Sequence, residues 1–127
     1  MKKVGIITTN KMFAQSLAAS IREMPDRGFE PHLLLNPKQA QLDVEVLGID
    51  VAIIDVVEGS TTGSESTVSF CENLRKAVPD CRLLLLISQD DKEACRVAVN
   101  STKKEVIDDF VFYDASLGYL LTKLASL

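Results

Sequence analysis

An open parallel α/β sheet with helices on both faces is the fold this sequence predicts, on three observations. Five short apolar runs alternate with segments of helical periodicity from one end of the chain to the other. The runs are continuous rather than alternately polar and apolar, which is the pattern of strands buried on both faces. No linker, repeat or low-complexity tract divides the 127 residues, so positions 1–127 read as one domain.

The elements follow in order. Val4-Gly5-Ile6-Ile7 is the first strand, ended by the polar cluster Thr8-Thr9-Asn10. Phe13, Ala14, Leu17, Ala18, Ile21 and Met24 then share a helical face, and Pro25-Asp26-Arg27-Gly28 stops that helix. Pro31 to Leu35 is the second strand. Asn36-Pro37 starts the next helix, with Asn36 as cap and proline in the first turn. Ala40, Val44 and Leu47 form its apolar stripe, and Gly48 stands where a terminator belongs. Val51-Ala52-Ile53-Ile54, closed by Asp55 and continued by Val56-Val57, is the strongest strand signal. Gly59 to Ser64 is a polar loop, and a helix follows from about Glu65 to Ala77 with Val68, Cys71 and Leu74 inward. After the Pro79-Asp80 turn, Leu83 to Ile87 is the fourth strand, ended by Ser88-Gln89-Asp90-Asp91. A short helix spans roughly Lys92 to Val99, and the polar stretch Asn100 to Glu105 fits neither period. Phe110 to Tyr113 is the fifth strand. The last helix starts near Ser116, with Leu117, Leu120, Leu121, Leu124 and Leu127 on one face. The whole is (βα)5, a doubly wound five-stranded parallel sheet.

Composition narrows the function. Apolar residues make up 46% of the chain, enough for a core without metal or disulfide support. The formal charge is −4, which argues against direct nucleic-acid binding, whose footprint is a basic stripe. Cys71, Cys81 and Cys95 are odd in number and lack CxxC spacing, so they read as reduced thiols in a cytoplasmic protein. The apolar run after Met1-Lys2-Lys3 is too short for a signal core, and no stretch approaches the ~20 residues of a membrane span.

Ligand sites in such sheets lie beyond the C-terminal strand ends, at the point where strand order reverses. Thr8-Thr9-Asn10, Asp55 to Glu58, Ser88-Gln89 and Tyr113-Asp114 are therefore the positions to inspect. Asp55 is the most informative. It closes a fully apolar run, where a carboxylate is costly unless paired, hydrogen-bonded or metal-bound. The structural alternative is a cap for the loop that follows.

With these residues in place, the chain resembles the receiver domain of two-component response regulators over essentially its whole length, which implies a flavodoxin-like receiver fold. Asp50 to Asp55 looks like the third receiver strand, ending in the phosphoacceptor aspartate. Leu83 to Ser88 looks like the fourth, with Ser88 as the residue that contacts the phosphoryl group. Asp108 to Tyr113 looks like the fifth, with Phe110 as the switch aromatic.

Two departures from the receiver pattern stand out. Receivers end the first strand with an acidic pair that holds Mg²⁺, and here Thr8 and Thr9 follow Ile7. Receivers carry a lysine at the end of the fifth strand, and here the matching positions are Tyr113 and Asp114. Phosphoryl transfer to a carboxylate depends on neutralising charge on the equatorial oxygens. Two hydroxyls do not replace two carboxylates as Mg²⁺ ligands. Replacing the acids by Thr8, Thr9 and Tyr113 lets Asp55 accept neutral hydrogen bonds instead.

The resemblance with these departures implies a degenerate receiver from a bacterial signalling system. It would be an interaction module rather than an enzyme, with no cofactor and with Mg²⁺ binding weak or absent. Its implied partners are a protein or an attached output domain beyond Leu127, with a homodimer through the last helix and fifth strand as a further arrangement. Two alternatives stay open. One is a working phosphoacceptor, since Asp55, Ser88 and Phe110 are all present. The other is a small-ligand flavodoxin-like domain using Thr8-Thr9-Asn10 and the loop from Ser60 to Ser64. That loop lacks a P-loop lysine, and no G-x-G-x-x-G follows the first strand. His32 has no nucleophile partner by spacing and reads as structural or exposed. Tyr119 lies off the leucine stripe, and with Phe112 and Tyr113 it suggests an aromatic patch.

Overall fold

The computed structural model describes residues 2–23, 28–55, 63–113 and 116–127. Strands and helices alternate along them as β1 (Lys2–Ile7), α1 (Lys11–Arg22), β2 (Phe29–Leu34), α2 (Pro37–Leu47), β3 (Val51–Asp55), α3 (Gly63–Ala77), β4 (Arg82–Ile87), α4 (Lys92–Lys103), β5 (Asp109–Phe112) and α5 (Leu117–Ser126). The sheet order is β2-β1-β3-β4-β5, with every neighbouring pair parallel. The chain winds outward from β1 to β2, then crosses back through α2 to β3 on the other side. Strand order therefore reverses between β1 and β3. Their register pairs Ile7 with Ile54, so the next residues along, Thr8 and Asp55, come side by side at the C-terminal edge.

Both faces of the sheet are buried, which is why the strands read as unbroken apolar runs. On one face Ile7, Ala52, Ile54, Leu83, Leu85 and Ile87 pack with the inner sides of α2, α3 and α4. On the other, Val4, Ile6, Val51, Ile53, Leu84, Leu86 and Val111 pack with α1 and α5.

Local chemistry sets the helix ends. Asn10, Asn36, Asp91 and Ser116 each accept a backbone N–H of the first turn with a side-chain oxygen. Pro37 stands in the first turn of α2, and Gly48 closes it in the left-handed region at φ 68°. The polar stretch that fits no period in the sequence is helical as far as Lys103. The buried side of α4 continues from Ala94 and Ala98 to Ser101, a polar residue only 5% exposed, which conceals the stripe.

Other boundaries shift by a residue or two. β1, β2 and β4 begin earlier than their apolar runs, because parallel pairing continues through Lys2, Phe29 and Arg82. α3 begins at Gly63, so Gly63 and Ser64 belong to a helix rather than to the loop. β5 ends at Phe112 and leaves Tyr113 just beyond it. Met24 to Arg27, Val56 to Thr62 and Asp114 lie outside the described residues, as does the side chain of Leu117. No helix among the described residues is long and apolar enough to cross a membrane.

Candidate functional site

Asp55 is the last residue of β3 and is half-buried. Thr8, one residue past β1, is 2% exposed, and its backbone N–H donates to the Leu34 carbonyl at 3.4 Å. Its Oγ1–H donates to Asp55 Oδ2 at 2.6 Å. The same Oγ1 accepts the Asn10 N–H at 3.0 Å. A threonine hydroxyl has a single proton, so with a donor behind it that proton is committed to the carboxylate. The length falls in the range of charge-assisted O–H···O⁻ bonds.

The other sequence-predicted positions divide. Thr9 is exposed, so of the two hydroxyls expected to support Asp55 it is Thr8 that is buried against it. Tyr113 donates its backbone N–H to the Ile87 carbonyl at 3.0 Å. Its ring, 39% exposed, meets that of Phe13 edge-to-face with centroids 6.0 Å apart. Ser88 follows β4 and is built into the start of α4. Its Oγ accepts the Asp90 N–H at 3.3 Å, and its carbonyl accepts the Asp91 N–H at 3.1 Å. Phe110 is half-buried, packs against the α2–α3–α4 side of the core and makes an edge-to-face pair with Phe112 at 6.0 Å.

Sequence reasoning placed Asn10 among the positions to inspect but did not single out Phe13 as a site residue. Asn10 caps α1 by accepting the Phe13 N–H at 3.0 Å, and Phe13 carries the ring that meets Tyr113. The available signal was an Asx residue just ahead of an apolar helical face. The three rings of the expected aromatic patch each make a described contact. Phe112 pairs with Phe110, Tyr113 with Phe13, and Tyr119 with the Lys123 ammonium 5.6 Å from its centroid.

Among the described residues the donor set does not fit Mg²⁺, which favours several oxygen ligands with carboxylates prominent. No group of three or more His, Cys, Asp or Glu that could hold a metal occurs among the described residues. Glu58, one of the positions to inspect, and the Ser60-to-Thr62 part of the small-ligand loop lie outside those residues.

On the β5–α5 surface Lys123 Nζ donates to Asp109 Oδ2 at 2.6 Å, a bond that raises the lysine pKa. Tyr119 is 49% exposed beside it. His32 lies 3.0 Å from Glu30 on the edge strand β2, away from the candidate site. Burial pushes the Cys71 thiol up to about 12 and the Cys81 thiol up to about 11, so both stay protonated at neutral pH.

Among solved structures the chain is similar to a two-component response regulator from Clostridium difficile, with a TM-score of 0.77, 19% identity, and coverage of 99% of this chain and 94% of that one. A response regulator from Burkholderia pseudomallei, described with a phosphorylated aspartic acid, calcium ion and citrate, matches at TM-score 0.73 and 23% identity over 99% of this chain and 69% of that one. An adenylate cyclase from Rhodopirellula baltica matches at TM-score 0.80 and 12% identity over 98% and 85%. No protein-family model matches the chain, and no curated protein matches it by sequence. At these identities the likeness is one of architecture. The fold is the flavodoxin-like fold of response-regulator receiver domains.

Proposed function

We propose that this chain is an atypical receiver domain of bacterial two-component signalling, working in the cytoplasm as a protein-interaction module without Mg²⁺-dependent phosphorylation of Asp55. The single observation that carries the reading is the 2.6 Å bond from the buried Thr8 hydroxyl to Asp55. It places a neutral donor where a phosphoacceptor site needs metal ligands. A carboxylate attacking a phosphodonor needs an available lone pair, and cationic groups that neutralise the negative charge on the transferring oxygens. Here one lone pair is engaged by Thr8, and Tyr113 replaces the cation expected at the end of β5. The module catalyses no reaction of its own.

Its partner is a protein or an attached output domain. The contact face is α5 with β5, where Tyr119 stands exposed beside the Asp109–Lys123 pair, and the same face would serve a homodimer.

The test is incubation with acetyl phosphate and Mg²⁺ followed by intact mass measurement. The expected result is an unmodified chain. A single phosphoryl adduct that Asp55→Asn abolishes would overturn the reading. It would favour the second one, a working phosphoacceptor, which rests on the retention of Asp55, Ser88 and Phe110 and on the phosphorylated aspartic acid of the Burkholderia neighbour.

A further inference from the structure

Four described contacts join Asp55 to the molecular surface without passing through Ser88 or Phe110. The Asp55 carboxylate accepts the Thr8 hydroxyl at 2.6 Å, and that hydroxyl oxygen accepts the Asn10 N–H at 3.0 Å. Asn10 Oδ1 accepts the Phe13 N–H at 3.0 Å and so caps α1. The Phe13 ring in turn packs edge-to-face on Tyr113 at 6.0 Å and 74°. The path therefore runs from β3, through the residue after β1 and the first turn of α1, to the residue after β5.

We infer that this path is a relay in which the state of Asp55 sets the position of Tyr113 at the surface. The inference rests on the reading of Asp55 as a carboxylate held by Thr8. The physical basis is the single hydroxyl proton of Thr8. While Asp55 accepts it, the Thr8 rotamer is fixed, and its oxygen faces the Asn10 N–H. That bond holds Asn10 in the extended conformation, φ −86° and ψ 95°, from which its side chain caps α1. Any change that withdraws the acceptor lets the Thr8 side chain rotate, whether the cause is loss of the carboxylate or occupation of it by a cation or a phosphoryl group. Asn10 is then released, the first turn of α1 loses its anchor, and the Phe13 ring no longer holds Tyr113. The same residues that replace the usual metal and cation groups thereby connect the carboxylate to a surface aromatic.

The composition offers a direct readout. The chain has two tyrosines and no tryptophan, so Tyr119→Phe leaves Tyr113 as the sole fluorescent side chain of that kind. In this background the relay is read by acrylamide quenching of Tyr113 in the folded protein. Phe13→Ala calibrates the state in which the ring contact is lost. Tyr113 is 39% exposed, so release raises the quenching constant by about twofold. Thr8→Val, which keeps the shape and removes the hydroxyl, is expected to give that rise, and Thr8→Ser to leave the constant at its parent value. Asp55→Ala reaches the relay from its other end and is expected to match Thr8→Val, which keeps the test decisive if the valine variant fails to fold. Folded Thr8→Val or Asp55→Ala protein with parent-like quenching, against a clear rise in Phe13→Ala, would overturn the relay. The phosphodonor experiment answers separately. A phosphoryl adduct on Asp55 overturns the functional reading, and the relay then predicts increased Tyr113 quenching in the adduct. An unmodified chain whose quenching ignores Thr8→Val and Asp55→Ala overturns the relay alone.

Discussion

Asp55 is held by a buried hydroxyl. Its partner Thr8 is 2% exposed, so the hydroxyl–carboxylate bond is sheltered from competing water. Removing the acceptor with Asp55→Ala leaves the Thr8 proton inside the protein without its carboxylate. The expected cost is about 1–2 kcal/mol, read as a lower urea midpoint with an unchanged m-value. A site of mutually repelling carboxylates behaves in the opposite way, gaining stability when one is removed. The sign of this single measurement therefore separates a supportive arrangement from a repulsive one. Gly5 shows a different residue-scale constraint. A Cβ there would stand 3.1 Å from Leu34 Cδ1 and 3.2 Å from Ile49 Cγ2, so a side chain on β1 at this point requires both neighbours to give by a few tenths of an ångström.

At the scale of elements, the end of α4 is a place among the described residues where local sequence and local backbone disagree. The Glu105 N–H donates to the Thr102 carbonyl and the Val106 N–H to the Ser101 carbonyl, the two bonds of a Schellman terminus. Such a terminus needs a left-handed residue, and Glu105 occupies it at φ 60°. A side chain with a Cβ is strained there, whereas glycine is not. Glu105→Gly is expected to stabilise the protein by about 1 kcal/mol, seen as a rise in Tm with the fold unchanged. The edge strand β2 carries a second local device. The Gly28 and Leu34 carbonyls accept from the Lys2 and Thr8 N–H groups, so even-numbered residues of β2 turn their backbone polar groups toward β1. Pro31 then falls on the outward set, where it removes a donor from the open edge and discourages pairing with another chain.

For the whole molecule, the edge opposite the candidate site is the anchor. Arg75, at the end of α3, donates to the Val106 and Cys81 carbonyls at 3.3 Å each and to Asp108 Oδ2 at 2.8 Å. Asp108 also accepts the Leu83 N–H at 2.8 Å, which ties α3, β4 and the approach to β5 together. Burial alone would raise the Asp108 pKa, but the bonds from Arg75, the Leu83 N–H and Arg82 outweigh it and hold the carboxyl below its ordinary value. The folded pKa is thus the lower of the two. Its stabilisation is complete above the unfolded value, about 3.9, and is lost as pH falls through the folded value. Asp108→Asn is expected to cost about 1–2 kcal/mol at pH 7. The difference from the parent should shrink once pH drops below about 4. Urea titrations of both proteins at pH 7 and in acid check the sign. A gap that widens in acid would exclude this linkage.

The sequence by itself determined the alternation of strands and helices, the burial of both sheet faces, and Asp55 at the end of the central strand. These depend on local periodicity and on the cost of ending an apolar run with a charge, and both are written along the chain. It also put Thr8-Thr9 and Tyr113 at strand ends, where the receiver resemblance implies an acidic pair and a lysine, because the flanking runs fix where strands end. Tertiary structure alone decided which hydroxyl reaches Asp55, since that depends on the β1–β3 register, in which Ile7 faces Ile54. It alone brought Phe13 to Tyr113 across 100 positions of sequence, and it alone carried α4 through a polar stretch because Ser101 turns inward. The reason is the same in each case. Periodicity tells which side of an element is buried, but the partner that a polar or aromatic side chain meets is set by how the elements stack.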